Sequence, residues 1–186
     1  MKYFKAASSV YVVYASSRGT TKALAEDFAR RCQVLGIRAE LLCLNALTEE
    51  NFSKSSVVFF IGSKGNGELP ENGEAFFDSS QFAKSDLSNM RYAIFALGSR
   101  YCGQRSWAGK KLHLAFKSEQ AGLIAPPVFA EDGYQKLYAS WAHEVLSELC
   151  GMPIDELPQN LVALSVPARQ ATETTFSSTI LGKDYA

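Results

Sequence analysis

The stretch Ser9–Phe28, SVYVVYASSRGTTKALAEDF, decides the fold. From Val10 to Ser16 the residues are apolar, aromatic or small, with three valines and two tyrosines. A run of that composition suits a strand covered on both faces of a sheet. The polar turn Ser16, Ser17, Arg18, Gly19, Thr20, Thr21 follows at once. Leu24, Ala25, Phe28, Ala29, Cys32 and Leu35 then recur at helical spacing. The first N–H groups of a helix lack intrahelical partners, and the helix dipole favours negative charge there. A hydroxyl-rich turn in that place is therefore a ready anion site. Taken alone, the same hydroxyls serve equally well as ordinary helix caps. The turn is not a Walker loop, because no Gly-Lys-Ser/Thr closes it, and it lacks the G-x-G-x-x-G fingerprint.

Outward from this stretch, strands and helices alternate. Gly36 ends the first helix, and Arg38–Leu44 (RAELLCL) reads as a second strand. Asn45–Asn51 is a polar connection with room for one helical turn. Ser56–Gly62 (SVVFFIG) and Arg91–Gly98 (RYAIFALG) are continuous apolar strands. A helix is expected over Glu74–Phe82, with Phe76, Phe77 and Phe82 facing inward. Another is expected over Trp107–Phe116, burying Trp107, Ala108, Leu112 and Ala115 or Phe116. Leu123–Ala130 (LIAPPVFA) reads as a fifth strand, placed at an edge by Pro126 and Pro127. The last strong helix spans Tyr134–Cys150, with Leu137, Trp141, Val145 and Leu149 on one face.

Five apolar strands separated by helices imply an α/β protein with a doubly wound parallel sheet. The expected order is the flavodoxin-like 2-1-3-4-5, with helices on both faces. Ligands of such sheets sit beyond the carboxyl ends of the strands, near the switch point. Three loops leave those ends: Ser16–Thr21, Ser63–Asn72 and Ser99–Arg105. They follow strands that are neighbours in this order, so they converge on one site.

Composition narrows the function. The chain has 186 residues, 47% of them apolar, which fits one soluble domain with a tail. Its 19 basic and 19 acidic residues balance, which argues against a nucleic-acid binder driven by bulk charge. MKYFKAASS is too short and polar for a signal peptide, and no apolar run reaches the length of a membrane span. Cys32, Cys43, Cys102 and Cys150 are scattered, as expected of reduced thiols in the cytoplasm, not of a zinc site. His113 and His143 fall on helices without acidic or thiol partners at ligand spacing, so no metal site is expected.

Residues 9 to 150 resemble the FMN-binding flavodoxin-like domain of the diflavin reductases, which include cytochrome P450 reductase, the sulfite reductase flavoprotein and methionine synthase reductase. YASSRGTTKALAEDFA resembles the family's phosphate loop, S-x-T-G-x-A/T. GSKGNGELPEN resembles its second loop, G-x-G-E/D-x-P-x-N. FALGSRYCGQRSWAGK resembles the third loop, and EDGYQKLYASWAHEVL the acidic turn and closing helix. In the tail, TFSSTILGKDY resembles the stretch that opens the FAD- and NADPH-binding part. The resemblance divides the chain into an FMN-binding domain, 1–150, and a linker or tail, 151–186, leading into an FAD/NADPH-binding domain absent here.

The resemblance implies a cofactor, FMN, and no catalytic side chain, because the flavin carries the chemistry. Ser16, Ser17, Arg18, Gly19, Thr20 and Thr21 would hold its phosphate. Ser63, Lys64, Gly65, Asn66 and Gly67, with Leu97, Gly98, Ser99, Tyr101 and Cys102, would line its ring. Lys64 and Cys102 stand where the family often places aromatics. Lys64, Arg18, Arg100 and Arg105 make these loops cationic, while Glu68, Glu71, Glu74, Asp78, Glu131 and Asp132 surround the expected ring edge. The implied activity is that of an oxidoreductase component, taking electrons from FAD reduced by NADPH and passing them singly to a redox protein. Two alternatives stay open: a flavodoxin-fold docking module without FMN, and the flavodoxin-like domain of a radical tRNA-modifying enzyme.

Overall fold

A computed structural model describes residues 7, 9–52, 55–78, 86–98, 106–158 and 161. Its elements run β1 (Ser9–Ala15), α1 (Thr20–Val34), β2 (Arg38–Cys43), a 3-10 turn (Leu44–Ala46), α2 (Glu49–Phe52), β3 (Ser56–Gly62), α3 (Glu71–Asp78), β4 (Arg91–Leu97), α4 (Trp107–Ser118), β5 (Gly122–Leu123), β6 (Val128–Ala130), α5 (Gln135–Cys150) and a second 3-10 turn (Ile154–Glu156). All strand pairs are parallel, in the order β2-β1-β3-β4-β5, with β6 also on β4. The flavodoxin-like order expected from the sequence is the order found.

The fifth strand departs from expectation. Instead of one run it is two short strands on β4, at Arg91–Tyr92 and at Phe95–Leu97. Between them lie Pro126 and Pro127, which have no N–H to give the ladder. The indole N–H of Trp141 donates to Pro126 O at 3.1 Å, so α5 uses the carbonyl that the sheet leaves.

The sheet is buried on both faces because alternate residues of its central strands point to opposite sides. Val12, Val58, Phe60 and Phe95 meet Leu24, Phe28, Trp141 and Val145 of α1 and α5. Val13, Val57, Phe59, Ile61 and Ile94 meet Phe76, Leu112 and Phe116 of α3 and α4. Each fully buried large apolar side chain contributes about 1.5–3 kcal/mol relative to exposure. Gly109 lets α4 approach β4 closely: a Cβ there would stand 2.3 Å from Ala96 Cβ.

Two residues expected in the core lie at the surface, while the rest of their helix faces are buried as expected. Trp107 is 44% exposed and Leu137 54% exposed. Ala108, Leu112 and Phe116 of α4 are buried as expected, and on α5 Tyr138 is buried with Trp141, Val145 and Leu149. Helix α3 starts at Glu71, before the expected Glu74; Phe76 is buried and Phe77 half-buried, and Phe82 lies outside the described residues. Gly36, at φ +74°, ends α1 with the N–H of Ile37 donating to Cys32 O at 2.9 Å. After α5, Leu157 and Leu161 insert into the α1/α5 core. The TFSSTILGKDY stretch of the tail lies outside the described residues.

Candidate functional site

Register fixes where the loops leave the sheet. Ala15 pairs with Ile61, Gly62 with Leu97, and Leu97 with Ala130. The carboxyl ends of β1, β3, β4 and β6 therefore form one row. Hydrogen bonds tie the row just beyond the ladder: the N–H of Ser63 donates to Leu97 O at 3.0 Å, and the N–H of Gly98 to Ala130 O at 2.9 Å. Ser106, opening α4, donates from Oγ to the same Ala130 O at 3.3 Å. A Cβ on Gly98 would fall 2.4 Å from Ser106 N, so only glycine lets the third loop return this close to β4.

The first loop leaves β1 at Ser16 and enters α1 at Thr20. Gly19 takes φ +80°, and no side chain caps the helix. The ordinary capping role that the sequence allows for these hydroxyls is therefore not the one they play. Ser17, Arg18 and Gly19 are exposed, and Ser16 and Thr20 half-buried. Thr21 is buried, and its Oγ1–H donates to Ala15 O at 2.8 Å. That bond locks the strand end onto the helix start. Gly62 passes close by, where a Cβ would meet Ala15 O at 3.1 Å and Thr21 Oγ1 at 3.2 Å.

The second loop is a tight hairpin. The N–H of Lys64 donates to Glu68 O at 2.9 Å, and the N–H groups of Gly67 and Glu68 return to Lys64 O, each at 3.0 Å. Gly65 and Gly67, at φ +50° and +105°, make the reversal possible. Ser63 Oγ is buried without a hydrogen-bond partner. The Lys64 ammonium pairs with the Glu74 carboxylate of α3. Its pKa is raised, first because Glu74 accepts its hydrogen bond, against desolvation and with help from the charges of Glu74, Glu71 and Glu68. Lys64, one of the cations the sequence places in these loops, is thus half of an ion pair.

One residue outside the expected set joins the two loops. Asn72, in the first turn of α3, accepts the Ser16 N–H at Oδ1 (2.9 Å) and donates from Nδ2 to Ser16 O (3.3 Å). Asn45 steadies that turn, donating to Glu71 O at 2.8 Å and accepting the Ala75 N–H at 3.1 Å. The asparagine in the Pro-Glu-Asn run was visible in the sequence, but nothing local shows a partner 56 positions away. Of the third loop, Leu97 and Gly98 stand in the row of strand ends, while Ser99, Arg100, Tyr101, Cys102 and Arg105 lie outside the described residues. Glu131 and Asp132 leave β6 at the same edge. Among the described residues no group of three or more His, Cys, Asp or Glu is placed to hold a metal ion, and no helix is long and apolar enough to cross a membrane.

Residues 12–141, more than half of the chain, match the family model described as flavodoxin. The chain belongs to the flavodoxin family. Flavodoxins share its architecture: the flavodoxin of Streptococcus pneumoniae TIGR4 superposes with a TM-score of 0.66 at 19% identity, over 77% of this chain and 98% of that one. Flavodoxin 1 of Bacillus cereus also gives 0.66, at 16% identity, over 75% and 98%. Among curated proteins, NADPH-dependent diflavin oxidoreductase 1 of Schizosaccharomyces pombe is 26% identical over 163 residues, 81% of this chain and 27% of the relative. The sulfite reductase (NADPH) flavoprotein alpha-component of Vibrio cholerae is 26% identical over 174 residues, 92% and 28%. The S-adenosyl-L-methionine-dependent tRNA 4-demethylwyosine synthase of Xenopus laevis is 32% identical over 119 residues, 56% and 16%. The chain thus spans under a third of the length of these relatives.

Proposed function

We propose that this chain is an FMN-binding electron-transfer domain, the oxidoreductase component of an NADPH-dependent diflavin reductase. The observation that carries the reading is the uncapped start of α1 beside the hydroxyls of Ser16, Ser17 and Thr20, in the same row of strand ends as the Gly65–Gly67 hairpin. The orphaned Ser63 Oγ adds a buried polar atom awaiting a partner at that edge. Both features fit a ligand with an anionic end and a polar ring.

In this reading the hydroxyls of Ser16, Ser17 and Thr20 and the N–H groups following Gly19 hold the phosphate. Arg18, exposed beside them, adds a charge-assisted bond. Ser63, Lys64, Gly65, Asn66 and Gly67 support the ring side from the hairpin, and Leu97 and Gly98 from the end of β4, together with Ser99, Tyr101 and Cys102. Bound FMN supplies the redox chemistry, accepting and releasing electrons. The protein binds, orients and shields it, and no side chain acts as acid, base or nucleophile. FAD and NADPH belong to a linked or partner domain, the acceptor is a redox protein, and the setting is the cytoplasm. Residues 1–150 are the FMN domain, and 151–186 lead toward the FAD/NADPH part.

The test supplies the FMN-loaded chain with NADPH and an FAD/NADPH-binding reductase module that lacks its own FMN domain. NADPH-dependent bleaching of the FMN absorbance, reversed by added cytochrome c, is the expected result. Unchanged absorbance contradicts the reading. The Xenopus relative supports a second reading, a flavodoxin-like domain serving a tRNA-modifying enzyme. The coding sequence beyond Ala186 discriminates: an FAD/NADPH module supports the reductase, and a cysteine-rich cluster motif the tRNA enzyme.

A further inference from the structure

Asn72 brackets one residue from both sides. Its carboxamide takes the N–H of Ser16 at 2.9 Å and gives to the C=O of Ser16 at 3.3 Å. Ser16 is the first residue past β1, where the ladder ends: the last β1–β3 pair is Ala15 with Ile61, and the last β1–β2 pair is Tyr14 with Cys43. The side chain of Asn72 thus continues by one residue a ladder that the backbone has stopped. It does so from a rigid base. Asn45 holds the same turn of α3 by two bonds, and Gly73 packs so tightly that a Cβ would meet Ala15 at 3.0 Å and Leu44 at 3.2 Å. Immediately before this turn runs the Ser63–Pro70 hairpin.

We propose that Asn72 is a positioning residue that sets the phosphate half of the site and couples it to the ring half. The inference rests on the FMN reading. Asn72 acts through Ser16: with the peptide of Ser16 clamped, the loop from Ser16 to Gly19 starts in one conformation and its donors meet an anion without reorganising. The clamp comes from the element that the hairpin leads into, so ordering either loop restrains the other. Ligands that order the two loops separately must then bind with positive cooperativity.

Two flavins read the two halves. FMN carries a phosphate and riboflavin does not, with the same ring. In the Asn72→Ala protein, affinity for FMN falls about tenfold or more, the cost of leaving two backbone groups without partners. Affinity for riboflavin falls less than about twofold, within the range of a near-neutral contact. Asn72→Asp keeps the acceptor for the Ser16 N–H but loses the Nδ2 donor and adds a negative charge, and it loses FMN affinity at least as strongly. An equal loss for both flavins, or no loss for FMN, overturns the proposal. A second measurement needs no variant: in the wild-type protein, inorganic phosphate tightens riboflavin binding, and an affinity indifferent to phosphate contradicts the coupling. If the wild-type protein binds neither flavin, the FMN reading itself fails and takes this one with it.

Discussion

Arg31 donates from Nε to Asp27 Oδ2 across 2.7 Å, with both side chains buried. The same Oδ2 accepts the phenol of Tyr138 on α5 at 2.6 Å, and Arg31 Nη1 donates to Leu161 O beyond it. The cluster binds α1, α5 and the segment after α5 at a place the helical pattern of apolar residues does not mark. Removing one partner of a buried pair leaves the other charge uncompensated, at a cost of about 3–5 kcal/mol, whereas replacing both by apolar groups costs less. Asp27→Leu is therefore expected to lose that much stability in urea unfolding, and Asp27→Leu with Arg31→Met to recover part of it. A loss below about 1 kcal/mol for the single change, no more than a surface pair contributes, contradicts the assignment.

His113 sets an acid-side dependence. Its Nδ1 lies 3.0 Å from the phenol of Tyr92 on β4, and its ring packs against Phe129 of β6. Desolvation, with the charge of Lys117 one turn on, lowers its pKa below the usual histidine value. The phenol of Tyr92 is pushed up to about 12 by burial, so it stays protonated and can donate to the neutral ring. A group whose folded pKa lies below its unfolded value stabilises the fold above the unfolded pKa and loses that contribution as pH falls. Stability should thus decline below about pH 6.5. His113→Gln should flatten that decline in denaturation curves taken across the range, and an unchanged slope contradicts it.

The Lys64–Glu74 pair modifies an expectation about potential. Read from sequence, Lys64 is one of four cations in these loops, with Arg18, Arg100 and Arg105, and positive charge near the ring would raise the midpoint potential of bound flavin. Paired with Glu74, its field is largely cancelled. Glu74→Gln should then raise the potential of bound FMN, Lys64→Gln should lower it, and the double replacement should stay near wild type in redox titration. Equal shifts of one sign in both single variants contradict this account.

Much of the architecture was legible because it rests on local patterns. The bounds of the Ser56–Gly62 strand, the helix after Gly19 and the stop at Gly36 all follow from apolar runs and glycine placement. The row of converging loops follows from strand order. What was not legible depends on partners far along the chain. Asn72 finds Ser16, Asp27 finds Tyr138 111 positions away, and Lys64 in the second loop finds Glu74 on α3. Tyr138 is buried where Leu137 was expected, while Trp141, Val145 and Leu149 keep the expected face, and the phenol of Tyr138 serves Asp27 as its ring serves the core. The split fifth strand needed a count of N–H donors at Pro126 and Pro127, not hydropathy alone.

The central claim is that the row of loops at the carboxyl ends of β1, β3 and β4 holds FMN. Titrating FMN into the purified protein while following flavin fluorescence tests it most directly. Saturable quenching with one FMN per chain, at micromolar concentration or below, is the result this account predicts. Fluorescence that rises as for free FMN at micromolar concentration, in a protein shown to be folded, would contradict it.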